Sequence, residues 1–270
     1  MREHRATSAT VWRCGYIDRN KTSSRRSERQ ALSTGDRRVC LLTGAGGLLG
    51  NEFCSAYAGE YDILAVCRTR VPGVPSQYES YVDPLQPDVP YAAASVYIVY
   101  ADLCDVHDVE RVVDVALARY GRVDLLVNNA AYMGRYTNTM IDGDTALIDL
   151  VQHMQTNVIA PLRLSVRLAQ QFWTSRASEN RAANRNIVNI SSTSASTVYP
   201  FQGQAGYAAS KAALDALTGH MAAEFDSFGV RVNVVAPNSF PSLVSTESVA
   251  EAVIKLDRGT ATGSTVKVDI

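Results

Sequence analysis

The chain has 270 residues, 46% of them hydrophobic and 20% charged, a balance that suits one soluble globular domain with a sizeable core. A formal net charge of −1 gives no reason to expect a nucleic-acid partner. No apolar run approaches the ~20 residues of a membrane span, and no signal-peptide core follows Met1.

Residues 1–37 are polar and rich in Arg and Ser, with no hydrophobic periodicity, and read as a disordered basic extension. Charge is uneven, about +6 over residues 1–38 and about −7 over the rest. From residue 38, apolar strands alternate with helical segments. The expected strands are Arg38–Thr43, Ile63–Cys67, Val96–Tyr100, Val123–Asn128, Ile187–Ser191, Val230–Val235 and Thr265–Asp269. The expected helices are Leu48–Ala58, Val106–Tyr120, a long one near Asp144–Trp173, Tyr207–Phe228 and Thr246–Leu256. Leu147, Val151, Met154 and Val158 are spaced by three and four on one face of the long helix. Prolines 72, 75, 84, 87 and 90 break the pattern over 71–95 and predict a loop there. Alternating strands and helices predict an α/β fold, a doubly wound, Rossmann-like parallel sheet of about seven strands over residues 38–270, with its ligand site beyond the carboxyl ends of the strands. The cysteines Cys14, Cys40, Cys54, Cys67 and Cys104 show no metal-ligand spacing and are expected to be reduced thiols in a cytoplasmic protein.

Gly44, Gly46, Gly47, Leu48 and Gly50 follow the first strand and open a helix. Glycines let a backbone turn tightly against a pyrophosphate, and a helix start offers free N–H groups and a positive dipole end. A Gly-rich run alone also describes a plain tight turn; the strand–turn–helix setting is what points to a dinucleotide. At the end of the second strand Cys67 stands where an acid would bond ribose hydroxyls, and Arg68 follows. A guanidinium there suits a 2′-phosphate, so NADP(H) is expected over NAD(H). Asp102, with the backbone of Leu103, is placed to bond an adenine; a helix cap is the alternative. Asn129 and Ala130 end the fourth strand, where small residues leave room for a cofactor. Tyr207 and Lys211, four apart, share a helix face, and a nearby ammonium lowers a phenol's pKa toward useful acid/base range.

TGAGGLLG at 43–50, NNAA at 128–131, Asn157, IVNISS at 187–192 and YAASK at 207–211 occur in an order that resembles the short-chain dehydrogenase/reductase family, over roughly residues 38–270. The resemblance implies a serine that bonds the substrate oxygen, a tyrosine that transfers its proton, a lysine that bonds the nicotinamide ribose and tunes the tyrosine, and an asparagine that holds a relay water. These roles fall on Ser192, Tyr207, Lys211 and Asn157. It also implies pairing of the long and catalytic helices across a two-fold axis, hence a homo-dimer or homo-tetramer.

Three departures qualify the match. Ser192 lies 15 residues before Tyr207 where 13 is usual in the family, and Ser194 has the usual spacing; strand register favours Ser192. TGxxGxxG is the glycine spacing of the extended branch, whose larger carboxyl-terminal domain the 63 residues after Tyr207 do not supply. After the sixth strand, Pro237-Asn238 replaces a Pro-Gly turn, Ser242 keeps a hydroxyl where a threonine would contact the nicotinamide, and the lid over 238–246 is very short. The expected activity is reduction of a small-molecule ketone or aldehyde. A non-catalytic dinucleotide-binding protein and a sugar-nucleotide epimerase or dehydratase are the alternatives.

Overall fold

The computed structural model describes residues 37–78, 95–136, 140 and 143–270. The basic extension over 1–36 and most of the Pro-rich insertion, 79–94, lie outside the described residues.

Seven parallel strands form one sheet in the order β3-β2-β1-β4-β5-β6-β7: β1 Arg38–Thr43, β2 Tyr61–Cys67, β3 Val96–Tyr100, β4 Leu125–Asn128, β5 Asn186–Ile190, β6 Arg231–Pro237 and β7 Thr265–Val268. Residues alternate between two cores. Cys40 and Leu42 of β1 pack toward α1 (Leu48–Tyr57) and α7 (Thr246–Arg258), among Leu49, Phe53, Val249 and Val253. Leu41 faces the other way, toward α2 (Val106–Tyr120), α4 (Ala160–Leu168) and α6 (Ala205–Phe225), among Val112, Leu164, Leu168 and Met221. Both faces are covered, which is why the strands read as unbroken apolar runs rather than as alternation. Strand order reverses between β1 and β4, so a crevice opens at the carboxyl ends of these two strands. At the opposite end of the sheet the Arg38 guanidinium donates to both carboxylate oxygens of buried Asp257, at 2.9 and 3.0 Å, and the Tyr61 hydroxyl adds a third bond at 2.7 Å. This network fastens α7 to β1 and β2.

The long helix is a composite of α3 (Asp144–Met154), a π turn at Gln155–Ile159, α4, and a second π turn at Ala169–Trp173. The expectation of one continuous apolar face needs correction. Leu147 and Val151 are exposed, whereas Val158 is buried at 8%. A π turn closes i→i+5 bonds and rotates the residues within and after it around the axis, so Val158 leaves the face that Leu147, Val151 and Met154 share within α3. A short helix, α5 (Ala177–Ala182), was not expected from the sequence. Of the 71–95 insertion, residues 71–78 are irregular, as the prolines require. Within them the Gln77 amide pairs with the outer edge of β3, donating to the Ile98 carbonyl at 2.7 Å and accepting its N–H at 2.8 Å, and so occupies groups that an edge strand would leave open.

Candidate active site

The Gly-rich turn is held by the end of β4. Thr43 Oγ1 accepts the backbone N–H groups of Asn129 and Ala130, both at 2.9 Å, and Asn129 Nδ2 donates to the carbonyls of Thr43 (2.9 Å) and Gly44 (3.1 Å). Gly44 has φ +64°, and a Cβ there would sit 2.8 Å from Ala130 Cα, so only glycine lets the two loops approach this closely. Gly50 does not reach the crevice, contrary to its expected cofactor contact. A Cβ on it would lie 2.5 Å from Ala45 Cα, so its role is close packing of α1 on the turn. Leu48 opens α1 with its side chain 61% exposed toward the crevice.

A cavity of about 830 Å³ runs along the strand ends. One half is lined by Gly44, Gly46, Gly47, Leu48, Arg68, Asp102, Leu103, Asn129 and Ala130. The other is lined by Ser192, Ser194, Tyr207, Lys211, Pro237 and Ser242. Arg68 is exposed and stands beside Arg70, a second cation that carries no motif. Cys67 is buried, which pushes its thiol up, and the Gly46 backbone opposes that rise. Asp102 Oδ1 already caps the Cys104 N–H at 3.0 Å.

Ser192 ends the extended segment after β5, and its Oγ accepts the Ser194 N–H at 3.1 Å. The same hydroxyl is near enough to the Tyr207 phenol to hold its pKa down against burial. Ser194 supplies a backbone bond to Ser192, and its side chain is nearly buried. Tyr207 and Lys211 lie one turn apart near the start of α6, with Lys211 Nζ 5.7 Å from the phenol ring centroid. The ammonium donates to the Ile190 carbonyl at 2.7 Å. Burial pushes Lys211 down to about 8, opposed by the charge of Asp215 one turn further along α6. Burial likewise raises the Tyr207 phenol above its usual value, opposed by the Ser192 hydroxyl and by the Arg135 guanidinium. Burial is the largest influence on the phenol, and the opposing ones come from Ser192 and Arg135 rather than from Lys211, whose amine is engaged by Ile190.

Asn157, fully buried in the first π turn, lies behind the cavity wall rather than in it. Its Oδ1 accepts the Tyr132 N–H at 2.8 Å, and its Nδ2 donates to the Tyr132 carbonyl (2.9 Å) and to Ser210 Oγ (2.9 Å). His153, one turn earlier, is buried between the rings of Tyr132 and Tyr207 and accepts the Gly134 N–H at 3.1 Å on Nε2. No motif announced His153; only the fold brings it beside Tyr207. Residues 238–245 connect β6 to α7, which Ser245 caps through the Ser248 N–H. Asn238 is tied to Asp269 (2.7 Å), and the Ser242 hydroxyl is exposed at the cavity.

Residues 38–253 match the family described as short chain dehydrogenase. The chain belongs to this family of NAD(P)-dependent dehydrogenases and reductases, and its sheet is the family's Rossmann-like fold. It is 29% identical over 217 residues to the 3-oxoacyl-[acyl-carrier-protein] reductase FabG of Thermotoga maritima, covering 79% of this chain and 78% of that one. It is 29% identical over 235 residues to Protein FixR of Bradyrhizobium diazoefficiens, covering 83% and 75%. It is 27% identical over 177 residues to a (21S)-21-acetoxyl-apo-melianone synthase of Melia azedarach, covering 64% of this chain but only 61% of that one. Among solved structures, a Brucella ovis short-chain dehydrogenase/reductase in complex with a partially ordered NAD superposes with a TM-score of 0.63 at 26% identity, over 87% of this chain and all of that one. The nicotinamide dinucleotide of the family fits the residues present: a glycine turn too tight for a Cβ, a helix start, and an uninterrupted groove from Arg68 to Lys211. Among the described residues no cluster of His, Cys, Asp or Glu could hold a metal, and no helix is long and apolar enough to cross a membrane.

Proposed function

We propose that the protein is an NADP(H)-dependent reductase that converts a ketone or aldehyde to the alcohol. The observation that supports this best is the meeting of Ser192, Tyr207 and Lys211 at one end of a groove whose other end presents the glycine turn and Arg68. The dinucleotide, when bound, supplies hydride. Ser192 Oγ orients the carbonyl oxygen, and Tyr207 gives that oxygen its proton. A phenol raised by burial is fully protonated at neutral pH, which suits an acid working in the reductive direction. Lys211 bonds the nicotinamide ribose, and Asn157 fixes the Tyr132 backbone beside Tyr207 through its paired bonds. Asp102 and the Leu103 backbone hold the adenine, Asn129 and Ala130 the middle of the groove, and Pro237 and Ser242 the nicotinamide end. Consumption of NADPH on addition of ketones or aldehydes tests the reading.

Cofactor choice follows from Arg68, with no acid at Cys67. NADPH should bind tighter than NADH, and Arg68→Ala should weaken NADPH by about 10–100-fold while leaving NADH little changed, the scale of one lost charge-assisted contact. Fluorescence titration of both cofactors reads this directly, and equal affinities in the unaltered protein would contradict it.

The serine assignment favours Ser192, which lines the cavity beside Tyr207 and holds the phenol's pKa down against burial. Ser192→Ala should lose far more turnover than Ser194→Ala, since Ser194 reaches Ser192 through its backbone N–H, which alanine retains. The reverse order in steady-state rates would move the role to Ser194.

Self-association is supported by the α3 surface. Leu147, Ile148 and Val151 are 64%, 71% and 60% exposed, a stripe that would be wet in a monomer. Light scattering at micromolar concentration should report a dimer or tetramer, and Val151→Asp should lower the mass. A monomer in the unaltered protein would refute the proposal.

A further inference from the structure

One charge in the cavity takes no part in cofactor binding or proton transfer as assigned to the other residues. Four cations line the cavity, Arg68, Arg70, Arg135 and Lys211, against a single carboxylate among the described residues, Asp102. Arg68 and Arg70 stand at the adenosine end and Lys211 serves the ribose. Arg135 comes from the loop after β4, and its charge reaches the Tyr207 phenol.

The segment that carries Arg135 is pinned at every second residue. Tyr132 is bonded through both its N–H and its carbonyl to Asn157, at 2.8 and 2.9 Å. The Gly134 N–H is taken by His153 at 3.1 Å, and the Tyr136 N–H by the Gly203 carbonyl at 3.1 Å. Tyr132, Met133 and Arg135 of this segment all line the cavity. Gln202 and Gln204, on either side of Gly203, line it too. The guanidinium has no carboxylate partner among the described residues. Asp149, close to this segment, takes the Tyr132 hydroxyl at 2.8 Å instead. An unpaired guanidinium in a concave site focuses its field on whatever enters, and its planar fork bonds an oxyanion in bidentate fashion.

We propose that Arg135, with Gln202 and Gln204 as neutral donors, forms an anion subsite beside the proton donor, and that the substrate is a carbonyl compound bearing an oxyanion, a carboxylate or a phosphate ester, rather than a neutral ketone. The proposal rests on the reductase reading for its chemistry and on the pinned segment for its geometry. It also gives the short lid a rationale, since a charged anchor fixes the substrate's orientation without an enclosing helix.

The test compares kcat/KM with NADPH for a set of oxo carboxylic acids, their methyl esters, and a keto phosphate. The unaltered protein should prefer an anion over the neutral ester. Arg135→Ala should reduce that preference by about 10–100-fold, the scale of a lost charge-assisted contact, and Arg135→Lys should restore part of it. Preference for the acid or for the phosphate identifies which oxyanion the site takes. An anion-to-ester ratio that Arg135→Ala leaves unchanged would overturn the proposal. So would a loss of NADPH affinity with no change in that ratio, which would make Arg135 a cofactor contact. If the unaltered protein reduces none of these compounds, the reductase reading fails for them. Calorimetric titration of the oxo acids and the keto phosphate into the NADP⁺ complex then decides the subsite: binding that Arg135→Ala abolishes supports it, and equal binding in both proteins or none in either overturns it.

Discussion

Tyr207→Phe is expected to lower turnover by about 10²–10⁴-fold, the usual contribution of a positioned acid, while leaving NADPH affinity within a few-fold of the original. The substitution keeps the ring, and with it the edge contact to His153 at 6.2 Å between centroids. Only the transferable proton goes. Ser192 still accepts the Ser194 N–H at 3.1 Å, so the loop after β5 should hold its shape. Steady-state rates together with a cofactor titration separate the two effects. Full activity in the phenylalanine variant would remove Tyr207 from the chemistry, and loss of cofactor binding would mean that the phenol serves structure instead.

Lys211 should show a different signature, in which affinity and rate fall together. Its amine is buried, donates to Ile190 at 2.7 Å, and titrates near 8 because burial outweighs the opposing charge of Asp215. Above that pH the free protein loses the ammonium that is to bond the ribose. NADPH affinity should therefore be highest below about 8 and decline as pH rises through it, and Lys211→Ala should weaken binding by about 10–100-fold and abolish that pH dependence. Stability moves the opposite way. An unfolded lysine keeps its proton to about 10.4, so between about 8 and that value the unfolded chain binds more protons than the folded one, and unfolding becomes harder as pH rises through this window. Cofactor titrations and thermal melts from pH 7 to 10 check both slopes. A flat affinity profile in the unaltered protein would show that the lysine charge does not hold the cofactor.

How legible the fold is depends on how local its causes are. β1, β3 and α2 begin and end where the sequence alone puts them, because each is an apolar or periodic run bounded by turn residues; α2, for instance, is capped by the Asp105 side chain and stopped by Gly121 in the left-handed region. The helix Ala177–Ala182 escapes sequence reading because six mostly polar residues carry no apolar period. The Leu147–Val158 stripe misleads for a subtler reason: propensity and spacing cannot announce a π turn, which here forms where Asn157 reaches across to the Tyr132 backbone. The candidate site divides in the same way. Gly44, Tyr207 and Lys211 sit in motifs whose spacing already implies a turn or a shared helix face. Gly50 and Asn157 belong to those motifs as well, yet act one layer behind the cavity, a distinction that only packing makes visible. Arg135 and His153 carry no motif. Their proximity to Tyr207 arises from the approach of the loop after β4 to α6, which no local pattern encodes.

In the proposed reaction a hydride moves from the dinucleotide to a carbonyl carbon while Tyr207 protonates the oxygen. NADPH carrying deuterium at the transferring C4 position, incubated with an accepted ketone or aldehyde, tests it most directly. Deuterium is expected on the carbinol carbon of the product, in step with cofactor oxidation, and Tyr207→Phe should form the labelled alcohol about 10²–10⁴-fold more slowly. NADPH that binds tightly yet delivers no label to any ketone or aldehyde, including those that carry a carboxylate or phosphate, would contradict it.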